Sequence, residues 1–253
     1  MPLDEVQYWS HIAAHELVHI FGLLDMYPSD PGRHRRSDPP AGTRWIHSQL
    51  GAMGMKAYFP APAKDPRLAY EWLRPDGSRY GDYYYGIAEA FEMLAWSRWQ
   101  LGWLKEPQVR CWIESEATLT LGPIAAPGDR IAMAAIPLSE TEMIVIESRR
   151  KLGYDTYHRD LTWDQLCPGR EREPCLVTGK PALLDEGVLV YTVDSDLGEG
   201  DLPLKVAGDT GDGQVPDYPF LTRGQSVTIR GYTVTVESAT QTTHTITITN
   251  TTP

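Results

Sequence analysis

No stretch of this chain is apolar for long enough to cross a bilayer as a helix, which takes about 20 consecutive apolar residues. No long basic run is present either, and the formal net charge is −11. A chain this acidic is repelled by phosphate backbones and anionic membrane surfaces, so neither nucleic acid nor a membrane is expected as a partner. The opening residues, Met1 to Glu5, are polar and acidic rather than basic and then apolar, so they do not read as a secretory leader. Cysteine is scarce: Cys111, Cys167 and Cys175. Three are too few to read as a disulfide framework. Cys167 and Cys175 flank a short polar loop, Pro168 to Pro174, and are either a linked pair that leaves Cys111 alone or three separate thiols.

What is present suits a globular protein. The 253 residues are 42% hydrophobic and 23% charged, enough for one large domain or two small ones with a real core. The two halves read differently. Residues 5–24 carry a helical pattern, with Ile12, Leu17, Ile20 and Leu24 among the apolar positions. From Pro28 to Pro75 the chain is rich in Pro, Gly and charge and is expected to be irregular. Gly86 to Leu101, rich in Ala, Glu, Met, Leu and Trp, is a second helix candidate. Its Trp96, Trp99 and Trp103 follow helical spacing and are expected to form one face packed on the second half. After Pro107 come short β-branched runs: 117–121, 131–136, 143–147, 187–194, 226–230, 232–237 and 243–250. Thr245-Ile246-Thr247-Ile248-Thr249 alternates, as a strand with one buried face does. The expected class is α+β: a helical portion, residues 1–107, followed by a mostly antiparallel, sandwich-like β domain, residues 108–253.

The chemistry is concentrated in the first helix. His15 and His19 stand four residues apart, so they share a helical face and present two imidazoles to one cation. Zinc takes two such nitrogens, needs a third protein ligand and keeps a position open for water. Glu16, beside the first ligand, is placed to move a proton between that water and a leaving amine. Gly22 follows where a helix ends in a left-handed turn, which redirects the chain and swings Asp25 back toward the metal.

The string His15-Glu16-Leu17-Val18-His19-Ile20-Phe21-Gly22-Leu23-Leu24-Asp25-Met26-Tyr27 resembles the zinc helix of the M6 metallopeptidases, the group of the bacterial immune inhibitor A proteins. Ala95 to Leu104 resembles the segment downstream of that family's active site, and Ile146-Glu147-Ser148-Arg149 and Gly187 to Asp194 resemble its later strands. The resemblance implies a secreted endopeptidase acting on proteins or peptides. In it Glu16 is the general base, and His15, His19 and Asp25 are the zinc ligands. Glu89 and Glu92, on the second helix candidate, are the rivals to Asp25, as in peptidases whose third ligand comes from a later helix. Met53, or Met55, matches a methionine packed beneath the metal in related peptidases. Peptidases of this kind place a sheet before the zinc helix, whereas here the helix starts close behind Met1, so the resemblance implies a chain lacking its N-terminal part. A weaker signal is the acidic loop Asp209 to Gly213 with Asp217, a composition that calcium favours and that a solvated turn also shows. Two other classes remain open at this point: a remnant whose β domain binds a protein or glycan, and a zinc-stabilised structural module.

Overall fold

A computed structural model describes residues 13–24, 92–111, 116–156, 186–198, 203–207 and 220–251. Helix α1 covers 13–19 and helix α2 covers Ala95–Gln100. Ten strands follow: β1 Val109–Cys111, β2 Glu116–Leu121, β3 Met133–Pro137, β4 Glu142–Arg149, β5 Gly187–Asp194, β6 Leu204–Val206, β7 Phe220–Leu221, β8 Ser226–Ile229, β9 Tyr232–Ala239 and β10 His244–Asn250. They form two sheets. One has the order β1-β3-β4-β5-β6, with β7 also paired to β5; the other has the order β2-β10-β9-β8. Among the described strand pairs only β1–β3 is parallel and the rest are antiparallel; the isolated bridges Leu121–Ile131 and Pro123–Ser148 are parallel too. Among the described residues no helix is long and apolar enough to cross a membrane.

The burial pattern of each strand follows from its layer. Ala134, Ile136, Ile144, Ile146, Val188 and Val190 of the first sheet share a core with Ala117, Leu121, Val234, Val236, Ile246 and Ile248 of the second. The opposite face of the first sheet, Met133, Ala135, Val145, Leu189, Tyr191 and Val193, is covered by Met93, Leu94, Ala95, Trp96, Leu104 and Leu23. The first sheet is therefore buried on both faces, which is why every residue of β5 from Gly187 to Val193 is buried. Among the described residues the second sheet is covered on one face only, and β10 alternates buried and part-exposed residues from His244 to Thr249. The second core layer draws on residues from both sides of position 107.

The second helix is shorter than its composition predicts. Glu92, Met93 and Leu94 are not helical, and Leu94 is extended at φ −58°, ψ 148°. The cause is tertiary: the Glu92 N–H donates to Asp155 Oδ1 at 3.0 Å, and its carbonyl accepts from Arg149 at 3.0 Å. Both groups are thereby removed from any helical ladder. At the other end the Gly102 N–H donates to the Trp99 carbonyl and the Trp103 N–H to the Arg98 carbonyl, with Gly102 at φ +69°. That is a Schellman motif, and it ends the helix. The expected tryptophan face is accordingly corrected. Trp96 is buried, but Trp99 is 41% exposed within the helix, and Trp103, which lies beyond the helix end, is 56% exposed.

Strand β4 ends in polar residues that reach both neighbouring layers. Glu147 and Arg149 point to the helical side, and Ser148 points to the second sheet, where its hydroxyl meets His244 Nδ1 at 2.8 Å. Beside them Arg150 bonds to the carbonyls of Thr240 and Thr243 and pairs with Glu186 at 3.1 Å. His244 is 1% exposed. Burial, and then the nearby Arg150 guanidinium, push its pKa down from 6.5 to about 4, against the smaller upward pull of Glu186. The folded value lies below the unfolded one, so in this window the unfolded chain binds more protons. Stability from this group is complete above pH 6.5 and is lost as pH falls toward 4. The expected loss is about 3 kcal/mol, at 1.36 kcal/mol per unit. Urea unfolding at several pH values should show a shallower acid slope for His244→Gln than for the parent. Equal slopes would assign the effect elsewhere.

Candidate metal centre

Helix α1 presents two unlike faces. His15, Val18, His19 and Leu23 fall on one side, at helical spacing, and are buried or half-buried. Leu17, Ile20, Phe21 and Leu24 fall on the other, where Ile20 is 77% exposed. The packed side of the helix is thus the histidine side, not the side carrying most of its apolar residues. The helix tightens at its end: the N–H groups of Ile20, Phe21 and Gly22 donate to the carbonyls three residues back. Gly22 then enters the left-handed region at φ +88°, which glycine adopts at little cost. That turn brings Leu23 under the helix, 3% exposed, into the core with Met93 and Leu94.

The imidazoles of His15 and His19 lie with ring centroids 4.9 Å apart and planes at 88°. His19 Nδ1 stands 2.7 Å from the Leu23 carbonyl oxygen. A carbonyl only accepts, so Nδ1 carries the proton and the lone pair of the neutral ring sits on Nε2. A backbone carbonyl on one ring nitrogen is the usual support of a histidine that ligates metal through the other. The two histidines therefore suit zinc in residue type and separation, and His19 suits it in tautomer. Glu16 lies beside them and is exposed. Asp25, Met53, Met55 and Glu89 lie outside the described residues, as do Cys167, Cys175 and the acidic loop 209–217. Cys111 is a free, exposed thiol.

Among the described residues no group of three His, Cys, Asp or Glu side chains could hold a metal ion, so Glu92 does not stand with His15 and His19. Its carboxylate is ion-paired with Arg98 instead and covers Gly153, where a Cβ would overlap Glu92 Oε1.

Behind the Leu23 side lies a buried charged cluster that the periodicity of the sequence did not reveal. Glu147 Oε2 accepts from the Ala95 N–H at 2.7 Å and from the Tyr191 hydroxyl at 2.8 Å, and its Oε1 accepts from Arg149 Nε at 2.6 Å. Arg149 also donates to both oxygens of Asp155, at 3.2 and 3.0 Å. Burial alone would lower the pKa of Arg149, but the carboxylates of Asp155 and Glu147 outweigh it and hold the guanidinium above its ordinary value. Burial, and then the Glu147 carboxylate, hold the Tyr191 phenol well above its ordinary value. The sequence signal for the cluster is a charged pair two residues apart, Glu147 and Arg149, directly after the apolar run Met143 to Ile146 of the same strand.

No family model, no curated protein and no solved structure matches this chain.

Proposed function

We propose that the chain is a zinc-dependent endopeptidase similar to the M6 metallopeptidases, acting on protein or peptide substrates outside the cell. The observation that carries this reading is the half-buried histidine pair with its carbonyl-held tautomer, His19 Nδ1 on the Leu23 oxygen. His15 and His19 would hold the metal through ring nitrogens, and Asp25 is the proposed third ligand. Zinc there supplies a Lewis acid that brings the pKa of a water to about 7 and polarises the scissile carbonyl. The protein's own part falls to Glu16, next to His15 in the chain. Its carboxylate orients the attacking water, takes its proton and returns it to the leaving amine. The Leu23 carbonyl keeps His19 from turning and holds its proton on Nδ1, so the ring needs no reorganisation when it ligates. Calcium in the acidic loop 209–217 remains a separate and weaker part of the proposal.

The test is metal analysis of the purified chain and of His15→Ala, with casein hydrolysis alongside. One equivalent of zinc that falls steeply in His15→Ala, together with hydrolysis, is the expected result. Equal zinc in both proteins would overturn the site. Zinc without hydrolysis would make the helix a structural module, and neither would leave a β-rich binding protein.

A further inference from the structure

We propose that the buried cluster of Glu147, Arg149, Asp155 and Tyr191 is a positioning brace for His19, acting through the backbone of residues 92–95 and Leu23. The inference rests on the zinc reading for its consequence and on geometry alone for its substance. Residues 92–94 belong to neither helix nor strand, so their backbone groups need partners from elsewhere. The brace supplies those of Glu92, Asp155 taking its N–H and Arg149 its carbonyl, and Glu147 takes the Ala95 N–H at the start of α2. All are hydrogen bonds to charged side chains inside the protein, the stronger kind. The Tyr191 hydroxyl ties the same carboxylate to β5 and accepts from the Trp96 N–H at 3.3 Å. The segment so fixed, Met93 to Trp96, shares its core cluster with Leu23. Leu23 is the deeply buried residue at the end of α1, between exposed Phe21 and Leu24, and its carbonyl sets the His19 ring. Met93 to Trp96 and Leu23 belong to one core, so a shift of the 92–95 backbone disturbs the core that seats Leu23, and with it the acceptor that decides which His19 nitrogen holds the proton.

A brace of charges is suited to this. Apolar packing tolerates sliding, whereas a guanidinium bonded at once to a backbone carbonyl and two carboxylates has a single geometry. Glu147, Arg149, Asp155 and Tyr191 are all at most 2% exposed, out of reach of a substrate, so these residues position the site rather than react.

The experiment uses the full chain. Nitrogen-15 shifts of the His19 ring in the metal-free protein report its tautomer, and zinc competition against a chromophoric chelator with the Co2+ absorption spectrum reports the site. Glu147→Gln is expected to shift His19 from the Nδ1–H tautomer toward a mixture. It should also weaken zinc about 10- to 100-fold, the range for losing a partner behind a ligand, and alter the cobalt bands. Leu23→Ala should do the same with the brace intact. Ser148→Ala, one residue along β4 and facing the second sheet, should lower stability and leave tautomer and cobalt spectrum unchanged. If Glu147→Gln fails to fold, Tyr191→Phe, which removes one hydroxyl, carries the same test with a smaller shift. A folded Glu147→Gln or Tyr191→Phe protein with the parent's His19 shifts and cobalt bands would overturn the brace. A parent chain that binds no zinc, yet whose His19 tautomer still depends on Glu147, would sink the peptidase reading and leave the brace standing.

Discussion

Glu16→Gln is expected to reduce casein hydrolysis about a hundred- to ten-thousand-fold, the usual worth of a general base, with zinc content at the parent value. Glutamine keeps the shape and much of the hydrogen bonding of glutamate but cannot take a proton. The helix geometry separates the two effects. His15, Val18, His19 and Leu23 form the packed side of α1, whereas Glu16 is exposed and lies off that side. Its neutralisation leaves the Leu23 carbonyl on His19 and the core contacts of Leu23 untouched. Zinc binding, thermal midpoint and His19 tautomer should therefore all match the parent, and only turnover should fall. A Glu16→Gln protein that loses zinc would make Glu16 a ligand or a structural contact; one that cleaves at the parent rate would remove it from the mechanism.

Much of the β architecture was legible because its residues obey local rules. The alternation of Thr245 to Thr249 is the imprint of a sheet with one wet face, and β10 has that burial pattern. Runs at 117–121, 143–147, 187–194 and 232–237 lie within or coincide with β2, β4, β5 and β9. The strands not foreseen, β1, β6 and β7, have three, three and two residues. Such segments are too short to show a period, and pairing with a neighbour defines them. The layer order was not read from the chain: the burial of every residue from Gly187 to Val193 follows from helical cover on the far side of the sheet, which the run itself does not announce.

The helices were harder to read, for two physical reasons. Composition favours a helix through 92–94, yet two side-chain bonds from distant residues, Asp155 and Arg149, claim the Glu92 backbone. Propensity of a few tenths of a kcal/mol per residue loses to such contacts. In α1 the apolar positions marked the wrong side. Leu17, Ile20 and Leu24 face out, while the histidine side faces in. Periodicity detects a helix but does not say which face is needed for chemistry. The His15–His19 spacing did identify the pair that the structure brings together. The support behind them was not legible, because a backbone carbonyl at Leu23 has no sequence signature.

Arg149→Leu is expected to be the most destabilising single change among these residues, by about 3–5 kcal/mol, the cost of leaving buried charges uncompensated. Arg149 is 1% exposed, and its partners Glu147 and Asp155 are 0% and 2% exposed. Leucine fills part of the volume but offers no donor, so two carboxylates and the Glu92 carbonyl lose their shared partner at once. An exposed pair gives the contrast. Arg230 and Glu142 lie 2.7 Å apart at 56% and 23% exposure, where water and salt already solvate both. Arg230→Ala should cost under about 1 kcal/mol. For a domain of this size each kcal/mol moves the thermal midpoint by about 2–4 °C, so the two variants should differ by roughly 10 °C. Neutralising the whole cluster, Arg149→Leu with Glu147→Gln and Asp155→Asn, should recover part of the loss, since removing both signs of charge removes the desolvation penalty along with the attraction. Thermal and urea unfolding at pH 7 measure all three. If Arg149→Leu shifts the midpoint no further than Arg230→Ala, the cluster is solvated in practice. Its charges would then not hold residues 92–95 on the sheet.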